Sequence, residues 1–201
     1  MITHLFFDVG GVLGSSGWGN EPRARAVGRF GLDAAEFDRR HREVVGPWEE
    51  GQLSLVEYLD STVFDTPRPF TRDDFTAFMY AQSQPYPETI EIARALGAAG
   101  RFRLMTLNNE SAELNAYRLE RFGLAPIFTA FFSSCWLGAA KPARRIYDLA
   151  LAIAQAEPAH SVFIDDREQN LEPARALGMR VVRFMDAVTL RRELAALGVA
   201  P

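Results

Sequence analysis

The sequence predicts an α/β protein in which a doubly wound parallel sheet carries an inserted block of helices. Three observations lead there. After Pro87, short apolar runs alternate with segments of helical periodicity, the chain pattern of parallel strands joined by crossover helices. One more apolar run stands at the start of the chain and belongs to the same sheet. Between them, residues 15–83 carry helix signals only. The expected division is a core of residues 1–14 and 84–201 with an α-helical insertion at 15–83.

Each element follows from its residues. Residues 3–9 read as a buried strand running into Asp8, with Gly10, Gly11, Gly14 and the pair Ser15-Ser16 as a flexible exit. In the insertion, Ala24, Val27 and Phe30 fall at helical spacing, and Asp33 is placed to cap a helix carrying Phe37. Ser54 with Glu57, and Thr71 with Asp74, have the spacing of capping boxes. Pro67, Pro69, Pro85 and Pro87 punctuate the connections. Beyond them, a helix through Ile90, Ala93 and Leu96 precedes a strand at 102–107. A helix is expected at 111–122, a strand at 127–132, a helix at 143–156 and a strand at 161–164. A helix at 168–177, a strand at 181–184 and a helix at 189–197 complete the chain. No internal repeat is present.

Composition narrows the function. The 201 residues are 48% hydrophobic and 24% charged, as in an ordinary globular protein. Lys+Arg 22 against Asp+Glu 26 gives a net charge of −4, which disfavours a nucleic-acid or anionic-membrane partner. No apolar run reaches the ~18 residues needed to span a bilayer. The chain has neither the basic start nor the long apolar stretch of a signal peptide. A lone cysteine, Cys135, makes no internal disulfide and suits a reducing, cytoplasmic compartment. Lys141 is the only lysine beside 21 arginines. A compact ammonium kept in so arginine-rich a chain suggests a crowded anionic site that a planar guanidinium would not fit.

In an open parallel sheet, ligands bind beyond the carboxyl ends of the strands. The polar residues there are Asp8, the pair Asn108-Asn109 and the pair Asp165-Asp166, with Lys141 in the loop after the 127–132 strand. Three carboxylates on one rim repel, and one would take up a proton unless a divalent cation sits among them. Oxygen ligands of this kind suit Mg²⁺, which keeps several waters and a substrate phosphate. Lys141 with the two asparagines forms a phosphate half-site. Gly10 and Gly11 allow close backbone approach, a carbonyl to metal and N–H groups to oxygens. His4, His41 and His160 lack metal-ligand spacing. Trp18, Trp48 and Tyr58 are expected in the packing of the insertion, with lining of a substrate pocket from the insertion as the alternative.

Four blocks resemble the motifs of the haloacid dehalogenase superfamily. They are Phe6-Phe7-Asp8-Val9-Gly10-Gly11-Val12-Leu13, residues 104–109, Lys141-Pro142 within 138–147, and residues 163–178 from Phe163-Ile164-Asp165-Asp166 to Gly178. They come in order and span most of the chain. The last two are most similar to the branch holding the amino-terminal phosphatase domain of soluble epoxide hydrolase and bacterial sugar-phosphate phosphatases.

The resemblance implies a Rossmann-like core with a helical cap and a Mg²⁺-dependent phosphatase of a small phosphorylated metabolite. Asp8 would be the nucleophile, forming an aspartyl-phosphate. Asp8, the Gly10 carbonyl and Asp166 would hold the metal, with Asp165 nearby or acting through water. Lys141, Asn108, Asn109 and Gly11 would bind the phosphoryl group. Two departures stand out. Gly10 replaces the usual second aspartate, a general acid whose kind contributes about 10²–10⁴-fold, and Asn108 replaces a hydroxyl residue. They keep open an impaired, ligand-binding relative. A 2-haloacid dehalogenase is the other alternative, although the Tyr-Gly expected after its nucleophile is absent.

Overall fold

The computed structural model describes all of residues 1–201. Five parallel strands form one sheet: β1 (His4–Phe7), β2 (Arg103–Asn108), β3 (Ala130–Ser133), β4 (Ser161–Asp165) and β5 (Arg180–Arg183), in the order β3-β2-β1-β4-β5. The central strand is the first in the chain, so its end is flanked on both sides by the ends of β2 and β4. That arrangement lets residues more than 150 positions apart meet at one rim.

Helices cover both faces, and the alternation of each strand decides which residues face them. Leu5 and Phe7 of β1 and Val162 and Ile164 of β4 pack with α5 (Pro87–Ala98) and α10 (Ala187–Ala196). Phe6, Phe163 and Met105 point the other way, toward α8 (Arg144–Ala154) and α9 (Glu168–Ala176). α6 (Ala112–Arg121) follows β2, and α7 (Ser134–Leu137) follows β3 directly.

Between β1 and α5 come α1 (Asn20–Phe30), α2 (Ala34–Glu49), α3 (Leu55–Thr62) and α4 (Arg72–Ala81). They have their own apolar centre, built on Trp18, Trp48, Tyr58, Phe75 and Met79. Local chemistry fixes their ends. Asp33 accepts the Glu36 N–H, and both capping boxes, Ser54–Glu57 and Thr71–Asp74, are formed.

Several boundaries differ from the sequence reading. β3 starts at Ala130, not 127, because Ile127 and Phe128 serve as buried anchors of the turn before the strand. β2 takes in Asn108, which pairs with Ser133 of β3 instead of standing beyond the strand end. α10 begins two residues early because Asp186 caps it through the Thr189 N–H. The four-residue α7 was not expected.

Candidate active site

Asp8 is the first residue beyond β1. Its N–H still donates to the Ile164 carbonyl of β4 at 2.9 Å, so its backbone is fixed by the sheet. Its side chain is held through Oδ1, which accepts the Val9 N–H at 2.8 Å and lies 3.0 Å from Lys141 Nζ. The Lys141 ammonium has three protons and three acceptors: Asp8, Asp165 Oδ2 at 2.6 Å and the Leu107 carbonyl at 2.9 Å. With its side chain 1% exposed, it is a buried point charge, as its isolation among arginines suggested. Asn109 pins its backbone: the Asn109 amide donates to the Lys141 carbonyl, and its oxygen accepts the Lys141 N–H, both at 2.8 Å.

The two aspartates that end β4 divide their tasks. Asp165 is fully buried and saturated with donors, the Arg167 N–H and Asn170 Nδ2 on Oδ1, Lys141 and Asn170 Nδ2 on Oδ2. It anchors Lys141 and does not face the cavity. Asn170 is the side chain that orders Asp165. Asp166 turns into the open space, and its Oδ1 is buried without a hydrogen-bond partner.

These contacts set the charges. Burial pushes the Asp8 carboxyl up to about 7, against the pull of Lys141 and with the push of Asp165 and Asp166. Burial likewise raises Asp166, helped by Asp165. Burial would lower the Lys141 ammonium, but Asp8 and Asp165 more than offset this and hold it above its ordinary value.

The residues fit a divalent cation. Carboxylate oxygens of Asp8, Asp165 and Asp166 lie within 4.8 Å of one another. One Asp166 oxygen is orphaned, and the Gly10 carbonyl receives no hydrogen bond. A hard cation with oxygen ligands meets all three conditions.

Two phosphate-site expectations need correction. The Gly11 N–H donates to the Gly14 carbonyl at 2.7 Å and is not free for a phosphate. Gly11 matters sterically instead: at φ +90° its missing Cβ would lie 2.6 Å from the Asp166 carboxyl group. The Asn108 carboxamide is also engaged, donating to Asn115 at 3.1 Å and accepting the Ser133 hydroxyl at 2.9 Å. It does not line the cavity, because β2 runs one residue further than expected. Asn109 does line it.

The cavity over Asp8 measures about 580 Å³ and is closed on its far side by the helical insertion. Arg118 of α6 is 2% exposed, pairs with Glu110 at 2.9 Å and donates to the Ser15 carbonyl. Its guanidinium stands 3.3 Å from where a Cβ on residue 10 would be. The insertion adds Arg23, His41, Trp48 and Glu49. The sequence reading missed Arg118 and Glu49: each is one of many like residues on an amphipathic helix, and no spacing singles it out. For Trp18 and Trp48 the sequence favours packing over pocket lining; the two residues do both.

Comparison with known proteins agrees with this architecture. Residues 2–178 match the family described as "Hydrolase: haloacid dehalogenase-like hydrolase". The chain is 32% identical over 123 residues to Bifunctional epoxide hydrolase 2 of Rattus norvegicus, covering 60% of this chain and 22% of that protein. It is 44% identical over 71 residues to the Sus scrofa protein of the same name, covering 35% and 13%. The matched part is thus less than a quarter of these relatives' length. Among solved structures, a HAD family enzyme from Bacteroides thetaiotaomicron, in complex with magnesium and inorganic phosphate, superposes with a TM-score of 0.76 at 18% identity, over 92% of this chain and 95% of that one. L-2-haloacid dehalogenase from Xanthobacter autotrophicus, with chloropropionic acid covalently bound, gives 0.62 at 18% identity, over 100% and 85%. At such identities the likeness shows the fold.

Proposed function

The chain belongs to the haloacid dehalogenase-like hydrolases, and from that premise we propose that it is a Mg²⁺-dependent phosphatase of a small phosphorylated metabolite. One observation carries the reading: a fully paired ammonium, Lys141, joins Asp8 to Asp165 at the mouth of the sheet while Asp166 presents an unpaired oxygen beside them. That arrangement suits a ligand bringing both a cation and an anion.

Asp8 attacks phosphorus, the bond to the leaving oxygen breaks, and water later cleaves the aspartyl-phosphate. Lys141 and the Val9 N–H hold one Asp8 oxygen, which fixes the carboxylate plane and leaves Oδ2 without a hydrogen bond. Lys141 also offsets charge on the transferring group. Asn109 keeps Lys141 in place from the cavity wall. Asp8, Asp166 and the Gly10 carbonyl would hold Mg²⁺, which would supply positive charge to offset the crowded carboxylates and the phosphoryl group. The helical insertion acts as a cap and supplies the contacts to the leaving group. Only 3 of the 20 residues lining the cavity are hydrophobic, which suits a polar substrate.

The test is release of inorganic phosphate from p-nitrophenyl phosphate and a panel of sugar and acyl phosphates. Activity that needs Mg²⁺ and falls at least about 10³-fold in Asp8→Asn supports the reading. Activity that survives that substitution, or halide release from 2-haloacids in chelator, defeats it. Gly10 motivates a second reading, a binding protein that holds a phosphorylated ligand without turnover. Stabilisation by Mg²⁺ with phosphate, and no phosphate release from any substrate, would identify it.

A further inference from the structure

A phosphomonoester of an alcohol parts from phosphorus as a poor leaving group unless its oxygen receives a proton. Residue 10, beside the nucleophile, is a glycine and has no proton to give. The cavity holds six other carboxylates or imidazoles, and five are otherwise occupied or misplaced. Asp8 is the nucleophile, and Asp166 faces the cation position. Glu110 is buried, ion-paired to Arg118 and bonded to the Ser111 N–H. The Glu21 side chain is 91% exposed at the rim. Burial lowers His41 to about 4, so its ring is neutral, and its Nδ1 is engaged with the Tyr58 hydroxyl at 2.9 Å. That leaves Glu49.

Resting on the phosphatase reading, we propose that Glu49, at the end of α2, is the proton donor to the leaving oxygen and the base that activates the hydrolytic water. Glu49 lines the cavity that contains Asp8 and Lys141, and no hydrogen bond or ion pair engages its carboxyl group. Its backbone is fixed against the core. The Ser134 hydroxyl donates to the Glu49 carbonyl at 2.6 Å and accepts the Glu110 N–H at 3.0 Å. Two residues on, Gly51 lies so close to the Cys135 carbonyl that a Cβ would come within 2.2 Å. The α2 terminus is thus seated on the rim of the site. Burial, then the neighbouring Glu110 charge, raises the Glu49 carboxyl to about 7, against Arg167, Lys141 and Arg23. A carboxyl in that range can both give and take a proton near neutrality.

The steps balance. As the Asp8 oxygen bonds to phosphorus and the P–O bond to the alcohol breaks, the Glu49 carboxyl proton passes to the departing oxygen. In the second half, water loses a proton to the Glu49 carboxylate as its oxygen bonds to phosphorus. The bond to Asp8 breaks, and phosphate and the protonated Glu49 carboxyl are regenerated.

The experiment compares wild type with Glu49→Gln and Glu49→Asp on an alkyl phosphate and on p-nitrophenyl phosphate, with Mg²⁺. Nitrophenolate leaves without a proton, so Glu49→Gln with that substrate should show a burst of one nitrophenolate per enzyme followed by slow turnover. With the alkyl phosphate it should show no burst and a loss of about 10²-fold or more. With the alkyl phosphate, the high-pH limb of the kcat/KM profile, where a general acid loses its proton, should vanish in Glu49→Gln and persist in Glu49→Asp, while the low-pH limb set by Asp8 stays in both. Equal losses on both substrates without a burst, or an unchanged pH profile, overturn the assignment while leaving the phosphatase reading intact. Wild type inactive on both substrates overturns the phosphatase reading itself.

Discussion

Lys141 shows how much one side chain can be asked to do. Its three protons are matched to three acceptors at 2.6–3.0 Å in a space with no room for a fork of nitrogens. Lys141→Arg should therefore lower kcat at least about 100-fold, where a surface lysine would tolerate the change. Lys141→Met should lower stability by roughly 3 kcal/mol in urea titrations at pH 7, since it leaves Asp8 and Asp165 buried without their cation. Unaltered kcat in the first variant would remove the lysine from the site.

Gly11 gives a second residue-scale prediction. A methyl group there meets the Asp166 carboxyl group at 2.6 Å and must displace it. The rise in Tm that Mg²⁺ produces in the wild type should be lost in Gly11→Ala. An undiminished rise would show that Asp166 is not a ligand.

Asp8, Asp165, Asp166 and Lys141 were all legible in the sequence because strand ends are the one place where a buried chain must stop being apolar. The roles of Asp165 and Asn108 were not. Which oxygen accepts which donor depends on where β2 ends, and a one-residue extension of that strand turned Asn108 inward to Ser133 and Asn115. Arg118 and Glu49 sit on helices where charged residues are common, and only the fold brings them to Asp8.

At the scale of elements, the seam between the helical insertion and the core is the sensitive part. Gly51, at φ +74°, has its backbone against the Cys135 carbonyl. Gly51→Ala should push the α2 terminus off the core rim and reduce kcat/KM by about tenfold or more, with a lower Tm. A variant with wild-type kinetics would uncouple the seam from catalysis.

Inside the insertion, His41 and Tyr58 share a hydrogen bond in the apolar centre. The folded pKa of His41, about 4, lies below the ordinary 6.5. Between those values the unfolded chain binds the proton that the folded one refuses. Stability is therefore undiminished above about pH 6.5 and declines as pH falls toward 4, by up to roughly 3 kcal/mol. His41→Gln should flatten this acid limb of the Tm profile between pH 7 and 5. An unchanged slope would place the lost stability elsewhere.

The helices of the insertion were readable because their capping residues are local signals, Asp33, Ser54 with Glu57 and Thr71 with Asp74. The start of β3 was not, since an apolar pair in a buried turn, Ile127 and Phe128, is indistinguishable by pattern from the first residues of a strand.

For the whole molecule, the order β3-β2-β1-β4-β5 puts the first strand in the middle and so gathers residues 8, 109, 141 and 166 at one opening. No helix is long and apolar enough to cross a membrane. The same frame can support attack on phosphorus or on carbon, and the two differ in where water ends up. In phosphoryl transfer, water attacks phosphorus. In dehalogenation, it attacks the carboxyl carbon of the aspartyl ester. The most direct measurement is turnover of a phosphomonoester in ¹⁸O-water with Mg²⁺, followed by mass spectrometry of the released phosphate and of the peptide containing Asp8. The account predicts one ¹⁸O in each phosphate and none in the peptide; label in the Asp8 carboxylate, or unlabelled phosphate, would contradict it.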